Sequence, residues 1–411
     1  MDNLTHTLVG ALVGETLAHG TSARPSSLPD DARRNLIIGA MAVGGNLPDL
    51  DFLYSAVYGG KLDYLLHHRG YTHTIIGALL TAALIWLVLM VWIRRKDGAA
   101  NGNDRVVLSL TAMLAPSLHI AMDYANNYGV HPFWPLDNLW RYGDSVFIIE
   151  PLLWAACAPL AFTFRSLAAR AGVLLTLTAG VALAFFSGMV PAPNASVLAV
   201  LTLSLLLLAR HARPGLALGS GVALWLATTL TFAAMSNMAA ARVDASSARR
   251  FPDARLLDRV VTPMPVNPWC WEVILIQQGK DDVALRRAML SLAPGHLSAQ
   301  GCRSRSLDVE TTAPLHKVGV ADDAELKWYG ETTFGRAHLA RLAAEDCRVA
   351  AFLQFARAPW LAATPRGAVL GDLRYDREPE LGFAEIALDQ EKDACPVHLP
   401  PWSPPRADLL R

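Results

Sequence analysis

The sequence has no excess of charge of either sign: Lys and Arg number 36, and Asp and Glu also number 36. That balance gives no electrostatic reason to expect a nucleic-acid partner. Charge is also scarce, at 18% of residues against 53% hydrophobic, a shift from the soluble average toward membrane proteins. No internal repeat, phosphate-binding loop, nucleophile elbow or Cys/His zinc-finger spacing is present. The opening residues Met1 to His6 contain an acid and no Lys or Arg, whereas a secretory signal starts basic. Membrane insertion is therefore expected to rely on the apolar segments themselves. Cysteine is rare, with five in all. Cys157 falls in an apolar run, while Cys270, Cys302, Cys347 and Cys395 lie in the C-terminal part. Those four allow two disulfides in any of three pairings, or four separate buried thiols, and both readings stay open.

What is present in quantity is apolar sequence. A membrane span needs about 20 mostly apolar residues, and runs at 74–93, 106–122, 146–164, 172–190, 195–209 and 216–238 qualify. Two shorter runs, 4–18 and 35–47, are rich in Gly and Ala. The expected fold is mainly α: a polytopic membrane bundle of about eight apolar helices, the first two short, over 1–238. A soluble α+β domain follows over 239–411. Gly10 and Gly14 form a small-xxx-small pair suited to close helix contact.

The loops sort by charge. One set carries Arg24, Arg33, Arg34, Arg94, Arg95, Lys96, Arg105, Arg165, Arg170, Arg210 and Arg213; the other carries only Lys61, Arg69 and Arg141. Basic loops stay cytoplasmic, which predicts a multi-pass inner-membrane protein with 239–411 in the periplasm.

On that topology a set of His and carboxylate residues falls at the outer helix ends. His6 starts the first helix, and Asp49 and Asp51 end the second. His67, His68 and His73 open the third, His119 and Asp123 close the fourth, and Asp144 and Glu150 open the fifth. Imidazole with carboxylate suits a divalent metal such as Zn or Mn, and carboxylate-rich sites suit Mg or Mn. His119 and Asp123, four apart, share one helix face. Thr72 is read as the N-cap that places His73 in a first helical turn. The metal set is His6, Asp49, His68, His73, His119, Asp123 and Glu150, holding one or two ions. Asp51, Asp144 or His67 is the expected general base for an attacking water. His131, on an outer loop, is read as structural or substrate-facing.

The stretches 1–10, 45–51 (Gly-Asn-Leu-Pro-Asp-Leu-Asp), 67–73 (His-His-Arg-Gly-Tyr-Thr-His) and 119–123 (His-Ile-Ala-Met-Asp), with Tyr128-Gly129, resemble the YdjM/YfhP-type inner-membrane family. Members are generally described as metal-dependent hydrolases. The resemblance covers about residues 1–155, and the stretches 262–269 and 371–375 look like that family's C-terminal extension. It implies that His6, Asp49, His68, His73, His119 and Asp123 match the family's polar positions; Glu150 stands where Asp is expected. Beyond residue 239, alternation at 271–276 predicts a strand of an antiparallel sheet, 339–355 predicts helix, and the Pro-rich 396–405 predicts an extended strap. The resulting expectation is a metal-dependent hydrolase at the outer face of the inner membrane. Its partners would be the lipid bilayer and an amphiphilic or lipid-linked phosphoester, with no nucleic acid. An ion-coupled transporter and a non-catalytic metal-binding scaffold are the alternatives; the lack of repeats and the one-ended cluster count against the transporter.

Overall fold

A computed structural model describes residues 1–58, 60–96, 98–302, 310–364, 367–389 and 394–410. Among the described residues, five helices are long and apolar enough to cross a membrane: α5 (Ile75–Arg95), α6 (Gly102–Tyr124), α9 (Leu167–Phe186), α10 (Ala192–His211) and α11 (Pro214–Arg250). A sixth span arises if α2 (Asp30–Gly44) and the segment Pro48–Ser55, bent by 43° from it, count as one. This corrects the expectation of eight. The 146–164 run forms only two short helices, α7 (Pro151–Ala156) and α8 (Leu160–Thr163). Glu150 caps the first by accepting from Leu152 N, with Pro151 at the first helical position. Leu153, Trp154, Ala155, Ala156, Cys157 and Leu160 are all buried. The run is apolar because it fills the bundle core, which composition alone does not separate from a lipid-facing span. By contrast α5 leaves Leu80, Leu84, Leu87 and Val88 more than half exposed along its outer side, a surface suited to lipid.

The first helix, α1 (Asn3–Gly20), is apolar enough to be buried but not to rank as a span, since it carries Thr5, His6 and Glu15 inward. It lies tight against α2. A methyl group at Gly10 would meet the Met41 carbonyl oxygen at 2.5 Å, and one at Gly14 would meet the Ile38 Cα at 3.0 Å. The small-xxx-small pair thus does what its spacing predicts.

One end of the bundle gathers the basic loops. Arg34 pairs with Glu15 at 2.5 Å and donates to the Thr163 carbonyl, Arg165 pairs with Asp31, and Ser27 Oγ donates to Asp104 at 2.9 Å. The opposite end carries the short helices α3 (Phe52–Tyr58) and α4 (Lys61–His67), the starts of α1 and α5, and the end of α6.

The C-terminal part rests on that second end. Strands β1 (Arg255–Met264), β2 (Asn267–Gln278), β3 (Asp282–Ser291) and β4 (Leu326–Gly335) form one antiparallel sheet in sequence order. Strands β5 (Pro359–Thr364), β6 (Gly367–Asp372) and β7 (Glu385–Ala387) form a second, with α12 (Arg336–Glu345) and α13 (Cys347–Leu353) between the two sheets in sequence. The strand expected at 271–276 lies inside β2, and the helix at 339–355 resolves into α12 and α13. Two disulfides, Cys270–Cys302 and Cys347–Cys395, use all four C-terminal cysteines; Cys157 is free and buried. Sheet and bundle share one hydrophobic core, in which Trp271 of β2 packs on Phe232 of α11 at 6.4 Å between ring centres.

Candidate metal centre

Three short stretches of backbone place the central residues. Pro48 opens a single 3₁₀ turn, Pro48–Asp51, that turns Asp49 into the bundle. A second 3₁₀ turn, Tyr71–His73, presents His73. The helix cap is Thr74, whose hydroxyl accepts from Gly77 N, so His73 sits before α5 and not in its first turn as Thr72 had suggested. On α6, His119 and Asp123 lie one turn apart and face the same way.

These four side chains converge, all buried. His73 Nε2 lies 3.0 Å from His119 Nε2, 3.1 Å from Asp123 Oδ2 and 3.4 Å from Asp49 Oδ1. His119 Nε2 lies 3.4 Å from both Asp49 Oδ1 and Asp123 Oδ2. Tetrahedral ligands at ordinary Zn–N and Zn–O bond lengths stand about 3.3–3.5 Å apart. The five distances just given, 3.0 to 3.4 Å, lie at or somewhat below those edges.

Its outer contacts fit the same reading. His119 Nδ1 lies 2.6 Å from the Gly45 carbonyl, to which only a protonated nitrogen can donate; a neutral His119 then has a bare lone pair on Nε2. His73 Nδ1 faces Thr72 Oγ1 at 3.0 Å and Asp51 Oδ2 at 3.4 Å. A hydrogen-bonded outer nitrogen with the inner one free is the pattern of a metal-binding His. Asp49 Oδ1 is buried with only the two imidazoles near it, each at a long 3.4 Å, and a cation between them would satisfy it better. Burial alone would lower the His73 pKa, but Asp123, Asp49 and Asp51 outweigh it and raise it to about 10. The cage selects positive charge.

The other predicted residues divide. His6 stacks on His119 at 3.9 Å between ring centres and reaches Asp123 Oδ1 at 3.1 Å, beside the tetrad. Asp51 and His68 form, with Asp49, a second group of donor atoms that all lie within 4.8 Å of one another. His67 turns its ring onto Tyr54 at 3.9 Å and belongs to neither group of donor atoms. Asp144 pairs with Arg357 at 2.8 Å. Glu150 accepts from Leu152 N and from Val266 N of the β1–β2 turn, so its carboxylate ties the bundle to the sheet. His131 is fully buried between Trp140 and Trp402, and burial, then the nearby His73, push its pKa down to about 3, leaving it neutral.

Arg69 was missed as a functional residue, although it stands inside the His67–His73 motif. Its guanidinium donates to Asp123 Oδ1 at 2.9 Å, to the Asp123 carbonyl at 3.1 Å and to Asn126 Oδ1 at 3.0 Å. It therefore fixes the carboxylate whose other oxygen faces the two imidazoles. Beside it opens a cavity of about 570 Å³, lined by Asp49, His68, Arg69 and Tyr64 from the bundle end and by Tyr375 and Phe383 from the C-terminal domain. Tyr375 ends the 371–375 stretch that carries the family resemblance, whereas no sequence pattern points to Phe383.

Residues 1–194 match the family model described as YdjM inner membrane protein. The protein YfhP of Bacillus subtilis (strain 168) is 26% identical over 154 residues, covering 38% of this chain and 43% of that protein. The chain thus spans under half the length of the curated relative it matches. No solved structure matches. The resemblance carried by the His and Asp motifs holds over residues 1–194, and that part of the chain has the pattern of the YdjM inner membrane proteins.

Proposed function

We propose that this protein is a metal-dependent hydrolase working at the outer face of the inner membrane, on an amphiphilic or lipid-linked phosphoester. The observation that carries the reading is the convergence of Asp49, His73, His119 and Asp123, all buried, at one end of a membrane bundle. A divalent ion supplies a water of near-neutral pKa and neutralises charge on a phosphoryl oxygen. The chain's own residues do the rest. Asp51 and the Gly45 carbonyl orient the two imidazoles, and Arg69 holds Asp123. The adjoining cavity combines Arg69 and His68 with the apolar rims Phe52, Ile148 and Phe383, a lining suited to a molecule with a charged head and an apolar body.

Two features support the outer location. The basic loops gather at the end remote from the site, as cytoplasmic loops do. The domain over the site carries two disulfides, which persist in oxidising compartments. The C-terminal part is accordingly read as periplasmic.

The test is metal content and hydrolysis for the purified parent, His119→Ala and Asp123→Ala. We expect stoichiometric metal in the parent, loss of it in both variants, and hydrolysis that follows the metal. A parent that stays metal-free under metal-replete conditions would sink the reading. Bound metal without cleavage of any phosphoester would leave the scaffold alternative, which the four-ligand cage itself favours: structural zinc sites are closed by four protein ligands.

A further inference from the structure

We infer that the reacting ion is not the one in the buried tetrad, but a second divalent cation held by Asp49, Asp51 and His68, of which Asp49 and His68 line the 570 Å³ cavity. The inference rests on the metal-binding reading above and says which of its residues face the substrate. Four protein ligands complete a tetrahedron, so an ion among Asp49, His73, His119 and Asp123 has no position left for water or substrate. Hydrolytic sites keep one open. The tetrad is also inaccessible: the His73 and Asp123 side chains are wholly buried.

The adjoining triad has what the tetrad lacks. It offers three protein donors instead of four. The His68 and Asp51 side chains retain 15% and 8% of their exposure, and His68 and Asp49 line the cavity. Asp51 divides its two oxygens. Oδ2 accepts from Arg69 N at 2.8 Å and Thr72 Oγ1 at 2.9 Å, and faces His73 Nδ1 at 3.4 Å, so it is committed to holding the motif. Among the described residues, Oδ1 meets His68 Nδ1 alone, at 3.0 Å. A ring nitrogen and a carboxylate oxygen at that separation can share a cation as readily as a proton. Asp49 belongs to both groups, so its carboxylate would bridge the two ions, the arrangement of two-metal hydrolases acting on phosphoesters. Tyr64 and Arg69 line the same cavity as Asp49 and His68, so a phosphoryl group held there would lie beside them.

The test is a Co²⁺ titration of the full-length protein in detergent, read by bound equivalents and by the visible spectrum, with His68→Ala and His68→Asn alongside. The Asn variant retains a hydrogen-bond donor for Asp51, and a thermal melt of each variant reports folding. We expect two equivalents in the parent, the first with the intense absorption of tetrahedral Co²⁺. Both variants should retain that first ion and its spectrum, lose the second, and lose phosphoester hydrolysis. A parent that takes up one equivalent, or folded variants that bind as many ions as the parent, overturns the inference while leaving the tetrad intact. A parent that binds none overturns both readings.

Discussion

At the scale of single residues, two buried guanidinium groups answer two buried carboxylates: Arg69 answers Asp123 at the site, and Arg357 answers Asp144 beneath the C-terminal domain. Removing one member of such a buried pair costs about 3–5 kcal/mol, because the other charge is left unpaired in a poorly solvating interior. Glu385 is an exception with a measurable consequence. Burial pushes its pKa up from 4.5 to about 7, with Asp376 adding to the rise and a backbone bond from Gly382, the Thr312 side chain and the Lys61 charge opposing it. A carboxyl whose folded pKa lies above its unfolded value favours the fold while protonated. Its contribution is fully present below about pH 4.5 and is lost as pH rises through about 7. Glu385→Gln should therefore flatten the decline in stability across that window. Denaturation midpoints of the two proteins between pH 4.5 and 7.5 check this; parallel curves would count against it.

The same scale shows what could be read ahead. The pairing of His119 with Asp123 follows from helix periodicity and was legible. So was the inward turn of Asp49 after Pro48. His73 was placed correctly in space for the wrong local reason, since Thr74 and not Thr72 caps α5. Glu150 and Asp144 could not be assigned from sequence. Their partners, Val266 and Arg357, lie 116 and 213 residues away, and a carboxylate near a helix end looks the same whether it binds a metal or a distant backbone amide.

At the scale of elements, the segment after Cys395 behaves as the strap its prolines predict. It is anchored at its start by the Cys347–Cys395 disulfide and farther on by Ser403 N donating to the Asn138 carbonyl and by Arg406 pairing with Asp258. Between these anchors Trp402 packs at 4.2 Å on His131 and at 5.4 Å on Tyr71. Tyr71 starts the 3₁₀ turn that ends in His73, so the strap presses on the backbone that sets the metal site. Trp402→Ala should cost about 3–5 kcal/mol in stability and also weaken divalent-metal binding, although residue 402 is no ligand. Melting temperature and Co²⁺ affinity measured together test this. A destabilised variant with unchanged Co²⁺ affinity would show that the strap holds the fold but not the site. Element type was the most legible level: β2, α12 and α13 fall where alternation and periodicity put them. Span number was not, because a helix such as α7 that is apolar on every side reads the same whether it faces lipid or protein.

At the scale of the whole molecule, the basic loops and the metal site occupy opposite ends of the bundle, and the two-sheet domain covers the site end. If the basic end is cytoplasmic, alkaline phosphatase fused at the C-terminus should be active in cells and β-galactosidase fused there inactive. The reverse pattern would put the site inside the cell and remove the support that the disulfides lend. Each disulfide closes a loop of 32 or 48 residues, contributing about 4 kcal/mol in the chain-entropy picture, so a reducing compartment would also leave the domain weaker.

Helix α11 sets one more property. It has 37 residues, about 55 Å at 1.5 Å per residue, against a hydrocarbon core of about 30 Å. Phe232, where Trp271 docks, comes after roughly half of that length, and near the helix end Gln277 still donates to Ser247. The sheet therefore leans along the upper half of the helix and is not carried above it. Were roughly the first 20 residues of α11 to fill the hydrocarbon core, the domain would sit on the membrane as a lid sits on a rim, with its cavity near head-group height. A molecule confined to the bilayer surface would meet that opening by lateral diffusion in two dimensions, whereas one dissolved in the surrounding water would have to find a narrow gap between protein and lipid.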